Sequence, residues 1–260
     1  MLTIGRLQAA LRGVARLRYE ALSIPPFTLF FHPSDPLPYF NYAIPDEPVF
    51  AGLAPALRAV REAFKKRGLR ARFEFIEAFA PGLAPALSAA RFIEENRQRL
   101  LVCARGRELA IAPPEGIAVS SLAERATPGD VRDLVATQRR GFDPADSRPA
   151  TETDVERLLE ELGRGAVGFL ARIEGEPVGA AITTEPLNGL TELCGICTLE
   201  PFRRRGVATS LAAAAVREAF TRGLEAAFLT AADETAGRVY SRVGFLPYAV
   251  MLSYGDPQPR

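Results

Sequence analysis

One stretch restricts the fold of this chain more than any other. Ile196-Cys197-Thr198-Leu199 is apolar and strand-like. Glu200-Pro201-Phe202 breaks it, three arginines and a glycine follow at 203–206, and Val207-Ala208-Thr209-Ser210 opens a helix. A strand that turns through glycine into a helix presents the unpartnered N–H groups of the first helical turn, where the helix dipole favours negative charge. Gly206 lets the backbone approach a ligand with no side chain in the way, and Ala208 does nearly the same. Arg203, Arg204 and Arg205 add charge-assisted hydrogen bonds suited to phosphate oxygens. Three arginines alone describe a solvated turn. The order strand, Pro, aromatic, Arg-x-x-Gly-x-Ala, helix makes the segment an anion site.

Periodicity around that turn predicts alternating helices and strands. Helices are expected at 3–22, 53–67, 83–90, 128–140, 153–162, from the arginine turn to about 222, and at 235–242. Extended segments are expected at 27–32, 39–45, 72–79, 99–103, 117–121, 167–172, 177–184, 191–199, 226–231 and 247–254. Thr127 before Pro128 reads as a helix cap. Glu174-Gly175-Glu176 reads as a hairpin turn. The break at Ala112-Pro113-Pro114-Glu115-Gly116 marks a linker, which divides the chain into 1–112 and 117–260.

The halves echo each other. Val60-Arg61-Glu62-Ala63-Phe64 recurs as Val216-Arg217-Glu218-Ala219-Phe220, and each is followed by Arg-Gly-Leu, at 67–69 and 222–224. A phenylalanine-bearing strand comes next, at Phe73 and Phe228, and Arg91-Phe92 then matches Gly244-Phe245. Four matches in order argue for a duplicated unit.

Composition excludes more than it selects. The 260 residues carry a formal charge of +1, so no overall basic field points to nucleic acid or an anionic membrane. No apolar run approaches the ~20 residues needed to span a bilayer, and a cytoplasmic location is expected. The single histidine, His32, reads as a turn residue in His32-Pro33-Ser34-Asp35-Pro36 and rules out multi-histidine metal sites. Cys103, Cys194 and Cys197 read as reduced thiols. The Cys194-x-x-Cys197 spacing within one strand puts the two on opposite faces, against a zinc or redox pair.

At this point the sequence resembles the GNAT family of acetyltransferases. Arg203-Arg204-Arg205-Gly206-Val207-Ala208 is similar to the family's Q/R-x-x-G-x-G/A motif, which cradles the pyrophosphate of coenzyme A. Asp233-Glu234-Thr235-Ala236-Gly237-Arg238-Val239-Tyr240, ending in Gly244-Phe245, resembles the family's N-x-x-A-x-x-x-Y-x-x-x-G-F, with aspartate in place of the usual asparagine. The resemblance runs over roughly 117–254. It implies an α+β fold with mixed central sheets flanked by helices, in tandem GNAT form, and transfer of acetyl from acetyl-CoA to a primary amine without a metal. The implied donor site comprises Cys197, Thr198, Leu199, Arg203, Arg204, Arg205, Gly206, Val207, Ala208, Thr209 and Asp233. Within it, the backbone groups of Cys197 and Leu199 would be free to hold the pantetheine and acyl carbonyl of the co-substrate.

Tyr240 sits where the family often has a tyrosine that protonates the departing sulfur. Glu192, on the strand before the arginine turn, is at the spacing of the histone-type general base. The N-terminal half would be a degenerate copy. Its counterpart of the arginine turn, Glu47-Pro48-Val49-Phe50-Ala51-Gly52, has no arginine, and Leu87 takes the tyrosine position. A small-molecule amine acceptor is expected, with a protein N-terminus or lysine as an alternative, and a monomeric pseudo-dimer or a homodimer as the assembly. The rival from another class is a non-catalytic acyl-CoA-binding sensor.

Overall fold

The structure, a computed structural model, describes residues 1–33, 35–49 and 51–257. Ser34 and Phe50, named above, lie outside the described residues. In chain order the elements are α1 (Ile4–Arg18), β1 (Glu20–Ile24), β2 (Phe27–Phe31), β3 (Tyr42–Pro45), α2 (Ala54–Lys66), β4 (Arg72–Ile76), α3 (Leu83–Ala89), β5 (Ile93–Ala104), β6 (Ile117–Leu122), α4 (Pro128–Phe142), α5 (Glu152–Gly163), β7 (Val167–Ile173), β8 (Glu176–Thr183), β9 (Leu190–Thr198), α6 (Val207–Thr221), β10 (Ala226–Ala231), α7 (Glu234–Ser241) and β11 (Leu246–Gly255). Two compact units result, residues 1–100 with 248–260, and residues 101–247. The linear division expected at the 112–117 linker differs from this in two places: the first boundary falls between Leu100 and Leu101, inside β5, and the C-terminal strand joins the first unit, because β11 pairs antiparallel with β4, Met251 opposite Ile76 and Gly255 opposite Arg72.

In the first unit β1, β2 and β3 are antiparallel, β3 and β4 are parallel, and the crossover between them is α2. Phe27, Phe64, Phe73 and Phe75 are fully buried and anchor the core beneath α2 and α3. Two expectations need correction here. The first helix stops at Arg18 rather than 22: Tyr19 is extended, its N–H closing on the Ala15 carbonyl at 3.0 Å, and the following residues pair as β1 with β2. The strand expected at 99–103 starts at Ile93. In its polar opening, Glu94 to Arg97, every side chain is partnered: Arg72 Nε with Glu95 at 2.8 Å, Asn96 with Ser253 at 3.2 Å, Tyr254 with Glu94 at 2.7 Å, and Arg97 with Glu77 at 2.9 Å. Cross-strand polar pairs of this kind stabilise a strand without any apolar alternation. His32 follows β2, and its Nδ1 accepts from the Asp35 N–H at 2.9 Å.

In the second unit β6, β7, β8 and β9 are antiparallel and β9 runs parallel to β10 through the crossover helix α6. Helices α4 and α5 pack on one face, over Leu134, Leu158, Ala180 and Cys197. Helices α6 and α7 pack on the other, over Phe169, Ala181, Leu193 and Leu229. Thr127 caps α4 and Thr151 caps α5, each in a reciprocal capping box with the aspartate three residues on. Gly179 lets α6 lie close. A Cβ there would sit 2.5 Å from Val207 Cγ1 and 2.9 Å from the Cys197 carbonyl.

The echoed sequence proves to be the same local structure twice. Val60–Phe64 ends α2 and Val216–Phe220 ends α6, each a crossover between parallel strands. Gly68 and Gly223 are left-handed, and Leu69 and Leu224 donate back to Phe64 and Ala219 at 3.0 and 3.1 Å. This is the helix-ending pattern in which the residue after the glycine bonds back across the last turn. Further on, the Phe92 N–H reaches the Leu87 carbonyl at 2.9 Å and the Phe245 N–H the Tyr240 carbonyl at 3.2 Å, which equates Leu87 with Tyr240. Among the described residues no helix is long and apolar enough to cross a membrane.

Candidate active site

The arginine turn folds as its residues require. Glu200–Phe202 forms one 3-10 turn, Arg204 takes a left-handed φ of 62°, and Gly206 takes φ 91° as the N-cap of α6. A glycine N-cap brings no side chain to the end of the helix. Of the four helices in this unit, α6 alone has no side-chain cap, whereas Thr127, Thr151 and Asp233 cap α4, α5 and α7. The first amides of α6, at Val207, Ala208 and Thr209, are therefore open to an external anion. The surrounding charge suits one. Arg203, Arg204 and Arg205 are exposed, and among the described residues none is paired with a carboxylate; Arg203 Nε reaches only the Thr198 carbonyl at 3.4 Å, and Arg205 lies over the Phe202 ring at 5.6 Å. Pro114, from the linker, packs on Gly206.

Beside this turn, β9 separates from β10. Among the described residues the two are in register only at Leu190–Ala226, Thr191–Ala227 and Glu192–Phe228, and β9 from Leu193 onward has no strand partner on that side. The opposite edge of β9 stays paired with β8 but carries a bulge. Ala180 faces Cys197 and Ile182 faces Cys194, so one residue of β8 is opposed by both Gly195 and Ile196. Gly195 has φ 60°, which favours glycine. Two sequence expectations change as a result. The Leu199 N–H donates to the Val178 carbonyl at 2.9 Å and its own carbonyl accepts from Phe202 at 2.9 Å, so Leu199 offers no free donor. Cys197 forms the same kind of pair with Ala180. By alternation the backbone groups that turn to the open edge are those of Ile196 and Thr198. The bulge also places Cys194 and Cys197 on one face, not on opposite faces, since their partners Ile182 and Ala180 are two residues apart. Neither is in a disulfide. Burial pushes the Cys197 thiol up to about 11, and its Sγ–H donates to the Thr137 carbonyl at 3.5 Å, which leaves it an inert packing group.

Tyr240 is 9% exposed in the core beneath α6 and α7, with its ring edge-on to Phe245. Burial, with a smaller push from Asp233, raises its phenol to about 12, so it stays protonated near neutral pH. Among the described residues the hydroxyl has no hydrogen-bond partner, although it is not sealed from solvent. Glu192 is half-buried on β9, its amide bonded to Thr184 Oγ1 at 3.0 Å and its carbonyl to the Thr184 N–H at 2.8 Å. Leu193 joins the cluster that contains Tyr240, so alternation puts Glu192 on the other face. The structure thus sets the two expected catalytic side chains on opposite faces of the sheet. Asp233 is exposed, and its Oδ1 caps α7 by accepting from the Ala236 N–H at 2.7 Å.

Sequence reasoning missed the residues that grip the bulge. Gln138 Nε2 donates to the Gly195 carbonyl at 2.9 Å, and a Cβ on Gly141 would lie 2.6 Å from Cys197 Sγ, so α4 presses directly on β9. A cleft of about 350 Å³ lies beside the arginine turn, bounded by Asp133, Thr137 and Arg140 of α4, by Glu176, and by Leu199 and Phe202. Among its described residues the first unit shows no equivalent cradle. Gly52 keeps a left-handed φ of 76°, but Pro55 at the start of α2 supplies no N–H, and Leu87 is fully buried.

The profile of the Acetyltransferase (GNAT) family matches residues 131–245. No curated protein matches the chain. Among solved structures, a GCN5-related N-acetyltransferase from Kribbella flavida is 26% identical at TM-score 0.82, covering 100% of this chain and 97% of that one. A GCN5-related N-acetyltransferase from Sphaerobacter thermophilus has TM-score 0.64 at 16% identity, over 89% of this chain and 76% of that one. A tandem GNAT protein from the clavulanic acid biosynthesis pathway has TM-score 0.64 at 17% identity, over 90% and 79%. The last two likenesses are likenesses of fold.

Proposed function

Since the chain belongs, through residues 131–245, to the GNAT acetyltransferases and is an acyltransferase, we propose that it moves acetyl from acetyl-CoA to the primary amine of a small molecule, by direct attack in a ternary complex. The observation that carries this reading is the uncapped N-terminus of α6, set beside three unpaired arginines and an open strand edge. The amides of Val207, Ala208 and Thr209, with Arg203, Arg204 and Arg205, hold the pyrophosphate of the donor. Thr198 and Ile196 take the backbone role first expected of Leu199 and Cys197. The Thr198 groups hold the pantetheine arm, and the Ile196 N–H donates to the thioester carbonyl. A donor aimed at the developing oxyanion is worth ~3 kcal/mol.

The amine nitrogen attacks the carbonyl carbon from the face that carries Glu192, which takes the amine proton, directly or through water. The C–S bond then breaks, and the thiolate leaves toward the opposite face and receives the phenolic proton of Tyr240. The placement of Glu192 and Tyr240 on opposite faces suits these two roles, because the base that takes the amine proton and the acid that meets the departing sulfur are then separate groups approaching the planar thioester from different sides. Asp233 contributes by ordering α7 beneath Tyr240 rather than by touching the pantetheine. The first unit, with Pro55 and Leu87 at the corresponding positions, has no donor site of its own and acts as a degenerate copy.

Incubation with isotope-labelled acetyl-CoA and pools of small amines, followed by mass spectrometry, tests the reading. Saturable binding with labelled amide product is expected. Absence of affinity for any CoA thioester would refute the donor site, and binding with no acetylated amine would refute the transfer.

A further inference from the structure

We infer that Gln138 is a positioning residue for acyl transfer: from α4 it holds the Gly195 bulge of β9 and so fixes the direction in which the Ile196 amide points. The inference rests on the reading of the open edge of β9 as the thioester site.

The bulge would not hold its shape unaided. An extra residue in a strand leaves backbone groups without ladder partners. The Gly195 carbonyl, stranded opposite Ala181, finds its partner in the Gln138 side-chain amide at 2.9 Å. The fit leaves no slack, since a Cβ on Gly195 would lie 2.3 Å from Gln138 Nε2. One turn of α4 therefore contacts β9 on both sides of Ile196. Gln138 holds Gly195, while the Thr137 carbonyl and the close face of Gly141 hold Cys197. Ile196 lies between these anchors, its side chain packed toward the α6 face. A peptide fixed at both ends cannot rotate, so its N–H keeps one direction toward the edge that β10 has left. Remove the Gln138 amide and the Gly195–Ile196 peptide is free to turn, without any loss of the arginine turn that binds the donor.

This separates orientation of the acyl group from affinity for CoA. The test uses the full chain with [1-13C]acetyl-CoA. The carbonyl carbon of the bound thioester moves downfield when an N–H donates to its oxygen, and no acceptor is needed for the measurement. In the native protein, saturable binding with a downfield carbonyl shift is expected. Gln138→Met keeps the length of the side chain and removes the donor. It should bind acetyl-CoA within about twofold of the native affinity, lose most of the carbonyl shift, and turn over ~10-fold more slowly at unchanged KM, a fraction of the ~100-fold that a whole oxyanion donor supplies.

Gln138→Glu adds a reading that a merely structural contact would not give. Its carboxylate repels the Gly195 carbonyl at neutral pH and donates to it once protonated, so the carbonyl shift should return as pH falls through the glutamate's titration. If native protein fails to bind acetyl-CoA, the donor site itself is wrong and the inference falls with it. If both proteins bind and Gln138→Met retains the full shift, Gln138 does not position the donor while the donor site stands. Loss of affinity together with the shift would indicate collapse of the site and would also overturn the inference.

Discussion

Replacing Tyr240 with phenylalanine separates chemistry from folding cleanly in this protein. The ring is buried and edge-on to Phe245, and phenylalanine keeps both contacts. The hydroxyl has no partner among the described residues, so its removal breaks no hydrogen bond within the chain and opens no cavity larger than one oxygen atom. Stability should shift by no more than about 0.5 kcal/mol, as for a substitution that touches no buried network. The catalytic cost is far larger. A general acid contributes about 10²–10⁴-fold, equivalent to roughly 2.7–5.5 kcal/mol of barrier. Tyr240→Phe should therefore lower kcat at least 100-fold while the melting temperature and the acetyl-CoA affinity stay put. The pH profile carries a second check. Because burial raises the phenol to about 12, the native enzyme should gain activity as the acceptor amine deprotonates and show no alkaline fall from Tyr240 until pH approaches that value. Steady-state rates by thiol release across the pH range, with a parallel thermal melt, give both readings. A kcat within twofold of native at unchanged stability would refute the acid role and leave water as the proton source.

Two further outcomes follow from local geometry. Gly206→Ala forces a Cβ into a left-handed φ of 91° and to within 2.8 Å of Pro114 Cγ. About 1–2 kcal/mol of strain at the anion site should weaken CoA binding ~5–30-fold in calorimetry, and native affinity would dismiss the turn as the pyrophosphate cradle. Thr151→Ala removes the cap of α5 and should cost ~1 kcal/mol in denaturant unfolding with no change in CoA affinity. Burial pushes the Asp154 carboxyl up, but the Thr151 hydrogen bonds and Arg139 outweigh it and leave the carboxyl below its usual range in the folded state. That contribution is present above the unfolded carboxylate value and disappears as pH falls through the folded one. The gap between native and Thr151→Ala stability should therefore narrow in acid, and a gap constant with pH would show that Asp154 plays no part in the cap.

Some of this was written plainly in the chain. Thr127 before Pro128, the glycine after each crossover helix, and the arginines before Gly206 act through bonds within a few residues, and local chemistry is what a sequence displays. The strand at Ile93 was hidden for the converse reason. Glu94, Glu95, Asn96 and Arg97 read as a polar loop until Arg72, Ser253, Tyr254 and Glu77 supply their partners, three of them from other strands. Tyr19 misled in a similar way. Helix periodicity continues past Arg18, and only pairing with β2 draws the chain into a strand.

The one-residue error at the active site has a deeper cause, and it shows why a motif cannot place a backbone donor by itself. Side-chain identity at 196–199 says nothing about which amide faces which neighbour. That is settled by the register between β8 and β9, and the register changes inside β9, at Gly195. A strict alternation carried from Glu192 through Cys194 would turn Ile196 and Thr198 toward β8 and leave Cys197 and Leu199 free. The bulge inserts one residue and reverses both assignments, so Leu199 bonds Val178 and the open edge falls to Ile196 and Thr198. Gly195 was the only sign of this in the sequence. Its partner in the argument, Gln138, lies 57 residues away in the chain, on a different element. On the proposed reading, the residue that decides where the thioester carbonyl is held is thus one that carries no motif, and its effect passes to the chemistry through the Gly195 carbonyl that it grips.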